Sequence, residues 1–309
     1  MASLLLATTA LMGCADEDPE PAREGAALDA HLHVASQALT DFFTGGGVPA
    51  PTGAELVARL DEARVTRGVV LAPGYMPFPD DSYVGPENDY AAAQVAAFPD
   101  RLIGFCGINP RFDSAPDEIT RCLALPGMVG IKLHLPASEV DLRNLDHVAA
   151  LAAVFERIDE SGAPVMLHTG DPWSQPLDND AFARLSEIIN AHPSVRIAHA
   201  HCAGNTDDAS IEAWLRVPGS GYRANAFVDT SACLRFYRDA PLATRELMVW
   251  RFRQWGIERV LLGSDYLQFQ PEETPAEAIE TLRQYPFTTE ELDVILSNDG
   301  AAWLVGASE

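Results

Sequence analysis

Short apolar runs recur along this chain at intervals that leave room for one helix and two loops. They are Leu28–Val34, Arg67–Ala72, Leu102–Ile108, Val129–His134, Pro164–His168, Val195–His201, Ala226–Thr230 and Arg259–Asp265. Most are nearly continuous in apolar residues, the pattern of strands covered on both faces in a parallel sheet. Between them lie stretches of helical period. Ala54–Arg64 sets Leu56, Val57 and Leu60 on one side, Asn88–Phe98 is stopped by Pro99-Asp100, and Leu145–Glu160 closes on Ser161-Gly162. Phe182–Ala191, Ile211–Leu215, Thr244–Trp255 and Ala276–Tyr285 continue the alternation, and Glu290–Leu296 is a last helix. Eight βα units without an internal boundary predict an α/β fold, a single-domain (β/α)8 TIM barrel over residues 27–309.

In such a barrel the reactive groups gather at the C-terminal ends of the strands. The first strand carries His31 and His33 at i and i+2, which puts both imidazoles on one face about 6–7 Å apart along the chain. Lys132 and His134, His168, His199 and His201, and Asp265 stand at later strand ends. Packing alone does not explain such a set, because unpaired polar groups in a barrel mouth cost several kcal/mol to dehydrate. Imidazoles on a rigid edge suit a transition metal, zinc above all.

Composition narrows the partners. A net charge of −24 leaves no basic stripe for nucleic acid, so a small-molecule substrate is expected, and the composition admits a homo-oligomer. The basic residues are twenty arginines and one lysine, Lys132, in a chain that uses arginine everywhere else. Residues 1–13 carry no charge, and Leu4–Met12 is apolar but too short to span a bilayer. Leu11-Met12-Gly13-Cys14 resembles a bacterial lipobox, without the usual positive charge ahead of it. Residues 1–13 are therefore expected to be a lipoprotein signal peptide and 14–26 a flexible tether. The mature protein is then lipid-anchored in the cell envelope; without that processing it is cytoplasmic. Cys106, Cys122, Cys202 and Cys233 match no zinc-knuckle spacing and read by default as buried thiols. Cys202 and Cys233 follow consecutive strands, which leaves an envelope disulfide open.

The strand-end motifs together resemble the amidohydrolase superfamily. Within it, they are similar to the branch that contains aminocarboxymuconate-semialdehyde decarboxylase and many metal-dependent hydrolases. The resemblance rests on Asp29-Ala30-His31-Leu32-His33, Gly130-Ile131-Lys132-Leu133-His134, His168-Thr169-Gly170-Asp171-Pro172, Ala200-His201-Cys202-Ala203-Gly204 and Gly263-Ser264-Asp265. It departs at the sixth strand, where His199 is an extra histidine and Ala203 stands where the family usually has glycine. The resemblance implies that His31, His33, His168 and Asp265 hold one divalent metal, and that His201 orients or deprotonates water or polarises the substrate. Asp265 is then ligand and base in turn.

Lys132 carries two readings. As a carbamate it bridges a second metal held by His168 and His201; as an ammonium it contacts substrate. Arg111, His134, His199, Trp173 and Tyr266 are weaker substrate-binding candidates, and the Pro73–Pro86 loop with Tyr75, Phe78 and Tyr83 is a candidate lid. The leading function is a metal-dependent hydrolase of a small amide, ester or lactone. The alternative is a metal-dependent non-oxidative decarboxylase of an aromatic or unsaturated acid, which needs a cationic clamp such as Arg111 or Arg235. A metal-binding lipoprotein without catalysis is disfavoured by the complete ligand set.

Overall fold

Strands form where the apolar runs stand: β1 Leu28–His33, β2 Arg67–Leu71, β3 Leu102–Ile108, β4 Met128–His134, β5 Val165–His168, β6 Ile197–His199, β7 Ala226–Asp229 and β8 Val260–Leu261. The structure is a computed structural model and describes residues 24–170, 178–204, 208–217, 220–267 and 273–306. Each strand pairs in parallel with the next, in the order β1 to β8. Past β8 the chain runs on beside β1. There Ala30 N–H donates to Leu262 O at 2.8 Å, Asp265 N–H to His31 O at 2.8 Å and His33 N–H to Tyr266 O at 3.0 Å. The result is the (β/α)8 barrel that the alternation predicts.

Side-chain alternation divides the core into two layers. Leu28, Ala30, Val69, Leu71, Phe105, Met166, Ala198, Phe227 and Leu261 fill the barrel interior. Trp303 closes its N-terminal end, donating Nε1–H to the carbonyl of Val165, the first residue of β5. The outward residues Leu32, Val70, Cys106, Ile131, Leu133, Ile197 and Val228 pack under the helices. Full burial of each large apolar side chain contributes about 1.5–3 kcal/mol. Gly130 faces inward because a Cβ there would stand 2.5 Å from the Phe105 ring. Two further steps along β4 bring Lys132 and then His134 to the same inner face.

The helices are set by their ends. Thr52, Thr274 and Thr288 each form a capping box with a glutamate three residues on. The long helix Leu145–Ser161 stops at Gly162 in the left-handed conformation. Helices Gln37–Thr44 and Ala115–Leu123 are short, of 8 and 9 residues, and bury few side chains: Leu39 and Thr40 in the first, Ala115, Ile119 and Cys122 in the second.

Two expectations are corrected. β6 stops at His199, short of its apolar run, because the chain turns into positive φ at His201; β8 ends at Leu261, and beyond it the chain stays beside β1 only through single hydrogen bonds up to Tyr266. The four barrel cysteines are not free thiols: Cys106 joins Cys122, and Cys202 joins Cys233. The signal segment 1–13, Cys14 and Trp173 lie outside the described residues. No helix among the described residues is long and apolar enough to cross a membrane.

Candidate metal centre

β1 delivers its two histidines through a bulge. Asp29 pairs with Gly68 but Leu32 with Val70, so β1 takes three steps where β2 takes two. Leu28 and Ala30 therefore face the interior below, Leu32 faces the helices, and His31 and His33 face the barrel mouth.

Hydrogen bonds then fix which nitrogen of each ring is left for a ligand. His31 Nδ1–H donates to Asp229 Oδ2 at 2.7 Å, and His33 Nδ1–H to the Leu71 carbonyl at 3.0 Å. His201 Nδ1–H faces the carbonyl and hydroxyl oxygens of Ser231 at 3.1 and 3.0 Å. Since these oxygens are acceptors, the three Nε2 atoms carry lone pairs. His168 is bonded to the Gly170 backbone, and its buried Nε2 has no partner. Asp265 Oδ1 stands 3.3 Å from His31 Nε2 and 3.2 Å from His33 Nε2. Ligand atoms of His31, His201 and Asp265 all lie within 4.8 Å of one another. Inward lone pairs on one carboxylate, with an orphaned buried Nε2 beside them, fit a divalent cation. His31, His33, His168 and Asp265 would hold it, with His201 alongside.

His201 reaches this cluster only because the chain leaves β-geometry. Continued alternation after Ala198 would send His201 outward with His199. Instead His201, Cys202 and Ala203 take φ of 55°, 54° and 66°, and His201 turns in. Each left-handed L-residue costs about 1–2 kcal/mol, so this turn is held by its surroundings. Asp265 has φ 62° and Ala232 φ 55°, so the ends of β6, β7 and β8 all carry strain at the site.

Four buried residues that support the centre carried no sequence signal strong enough to single them out. Asp229, ending β7, accepts from His31 through Oδ2 and through Oδ1 from His201 N–H at 2.8 Å, Ser231 N–H at 3.1 Å and the Ser231 hydroxyl at 2.6 Å. The Ser231 oxygen also faces His31 Nδ1 at 3.1 Å, so one carboxylate and one hydroxyl set the tautomer of two histidines. Asp29 accepts from His31 N–H at 3.0 Å, Ser264 N–H at 3.1 Å and the Ser264 hydroxyl at 2.6 Å, which fastens β1 to the Asp265 turn. A polar triplet, Asp229-Thr230-Ser231, closing an apolar strand was the available signal.

Burial, reinforced by the charge of Lys132, holds His31 well below the usual histidine range, so its ring is neutral. Burial and neighbouring His134 do the same to His168. Burial raises Asp265, but His201, His33 and Lys132 outweigh it and hold the carboxyl at about 2. Burial pushes Asp29 up to about 7. Lys132 is 1% exposed. Burial lowers its ammonium to about 8 against the pull of Asp265 and Asp229.

These groups open into a cavity of about 200 Å³. Its floor is His31, His33, Lys132, His134, His168, His201 and Asp265, and its mouth is apolar, with Val34, Leu39, Phe43, Met76 and Leu267. Lys132 Nζ lies 3.4 Å from His31 Nε2 and 5.9 Å from the centre of the Tyr75 ring. His134 stacks between Tyr75 and His168 and accepts Ala137 N–H at Nδ1, so its proton sits on Nε2. That tautomer makes it a donor rather than a ligand.

Other candidates stand elsewhere. His199 does not share the face of His201: it lies between β6 and the helices, against Trp214 and Trp255, with Nε2 2.8 Å from the Tyr222 hydroxyl. Tyr266 turns outward, where its hydroxyl meets Arg59 Nε at 3.4 Å. Arg111 pairs with Glu139 at 2.6 Å, Arg235 lies over the Phe236 ring, and neither lines the cavity. Of the candidate lid, Pro73, Tyr75 and Met76 line the cavity, while Phe78 stacks on Tyr83.

Known proteins share this architecture. The chain is 24% identical over 225 residues to 2-amino-3-carboxymuconate-6-semialdehyde decarboxylase of Dictyostelium discoideum, a match covering 66% of this chain and 62% of that relative. The chain thus spans less than two thirds of the length of the curated relative it matches. A probable 2-pyrone-4,6-dicarboxylic acid hydrolase from Acinetobacter baumannii superposes with TM-score 0.65 at 20% identity, covering 90% of this chain and 99% of that one. The 5-carboxyvanillate decarboxylase of Sphingomonas paucimobilis superposes with TM-score 0.63 at 18% identity, covering 91% and 99%. At those identities the superpositions speak to the fold alone. The model of the amidohydrolase family matches residues 28–298, from the first strand through the last long helix, and the chain belongs to that family.

Proposed function

We propose that the protein is a metal-dependent carboxy-lyase, removing the carboxylate of a small unsaturated or aromatic acid without an external oxidant. The observation that carries this reading is Lys132. It is a buried cation at the cavity floor, and no carboxylate among the described residues reaches it within ion-pair distance. A charge in that position is costly unless an anion joins it, and a substrate carboxylate supplies one. A hydrolase of neutral amides or esters has no need of such a group. The decarboxylase name of the Dictyostelium discoideum relative supports the same choice over the hydrolase expected first.

In this reading the ammonium of Lys132 binds the carboxylate, and the apolar mouth around Leu39, Phe43 and Met76 receives the unsaturated skeleton. The carbon–carboxylate bond breaks, CO2 leaves, and the electron pair stays on the substrate carbon, which takes up a proton. His201, its Nδ1–H held by Ser231, has the Nε2 lone pair to take that proton from water and pass it to the carbon, leaving hydroxide to balance the step. When bound, the divalent metal, which we propose is zinc, supplies a Lewis acid that draws charge onto a substrate oxygen. Protein loaded with zinc or manganese should release CO2 from dihydroxybenzoates, carboxyvanillates or carboxymuconate-type acids. Hydrolysis of lactones or esters with no CO2 from any acid would overturn the reading. We further propose an exported, Cys14-anchored protein, which two disulfides support.

A further inference from the structure

We infer that the Cys202–Cys233 disulfide is a positioning device that holds His201 in the metal centre. His201, Cys202 and Ala203 are three consecutive left-handed residues, and each bears a Cβ that disfavours that conformation. Glycine would adopt it freely, yet none stands there. The middle residue of the turn is instead cross-linked to Cys233, with Cα atoms 5.9 Å apart. Cys233 follows closely on Asp229, at the end of β7, and on Ser231, the two residues that hold His201 by its backbone N–H and its Nδ1–H. Both cysteines are fully buried, and Ala232, beside Cys233, is itself at φ 55°. The bond therefore ties an unfavourable turn to the hydrogen-bond acceptors that fix its histidine. Cys106–Cys122 joins β3 to helix Ala115–Leu123, away from these residues, and serves as the control.

The test compares the full chain with three double variants: Cys202→Ala/Cys233→Ala, Cys202→Gly/Cys233→Ala and Cys106→Ala/Cys122→Ala. Ring-nitrogen NMR of metal-free protein labelled in histidine reads the His201 tautomer, and chelator competition reads the affinity for zinc. Parent, control and glycine variant should each show a fixed Nδ1–H tautomer. The alanine variant should show a mixture, with zinc bound about tenfold or more weakly. Glycine should return the affinity to within about threefold of the parent. If the alanine variant does not fold, the glycine variant decides alone: a fixed tautomer supports the inference, and a mixed tautomer or an unfolded chain overturns it. An alanine variant with the parent tautomer and parent affinity overturns it as well. The tautomer readout needs neither metal nor substrate, so its failure is separable from failure of the carboxy-lyase reading.

Discussion

Replacing Asp229 with asparagine removes one charge and no volume, and the geometry around it dictates the consequence. Asp229 Oδ1 accepts three hydrogens, from His201 N–H, Ser231 N–H and the Ser231 hydroxyl, while Oδ2 accepts from His31 Nδ1–H. An asparagine that keeps its oxygen at Oδ1 places its NH2 against His31. The ring must then accept at Nδ1 and carry its proton on Nε2, 3.3 Å from Asp265 Oδ1, where no metal can bind it. The opposite flip leaves two buried backbone N–H groups facing an amide donor, at about 1–3 kcal/mol each. Either way the site loses a ligand or a supporting turn. Loss of such an outer partner weakens metal binding about 10–100-fold, or about 1.4–2.7 kcal/mol. Chelator competition on Asp229→Asn measures this directly, with circular dichroism confirming the fold. Zinc affinity within about twofold of the parent would refute the claim that Asp229 sets the His31 tautomer.

Other consequences are as direct. Burial takes Lys132 from 10.5 to about 8, so between those values the unfolded chain binds a proton that the folded chain has released. Stability of the metal-free protein should therefore rise with pH across that window, by up to about 3 kcal/mol relative to Lys132→Met. Parallel urea-derived profiles for parent and variant would contradict this. The Cys106→Ala/Cys122→Ala variant should lose about 3 kcal/mol in urea unfolding but keep its zinc content, and a metal-poor variant would contradict the separation of that disulfide from the site. Mass spectrometry of protein expressed with its leader should find a lipid-modified Cys14 at the N-terminus; an intact Met1 in a host that processes lipoproteins refutes the anchor.

Much of the barrel was legible because its strands are covered on both faces, so near-continuous apolar runs mark them without help from tertiary context. The same runs overreached at β6 and β8. There Ala200 and Leu262 are as apolar as any strand residue, but Ala200 is followed at once by the left-handed turn, and past Leu261 only single hydrogen bonds to β1 continue the pairing. His199 and His201 look equivalent in sequence, two apart on one strand; three left-handed residues separate an outer histidine from an inner one. Nothing in the identities of Cys202 and Ala203 announces that conformation. Lys132 was legible because a lone lysine on an arginine-rich chain needed a reason, and β4 keeps a regular register with β3 from Gly130 onward. Asp229, Ser231, Asp29 and Ser264 were passed over because their role is to bond other side chains. Such roles depend on pairs far apart in sequence, as Asp29 with Ser264 and Asp229 with His31 show.

The account stands on His31, His33, His168 and Asp265 acting together on one cation. Metal content per chain, by elemental analysis of protein purified without added metal and again after zinc or manganese reconstitution, tests this most directly. About one tightly held equivalent is predicted, lost in Asp265→Asn. Less than about 0.2 equivalents in both preparations would contradict it.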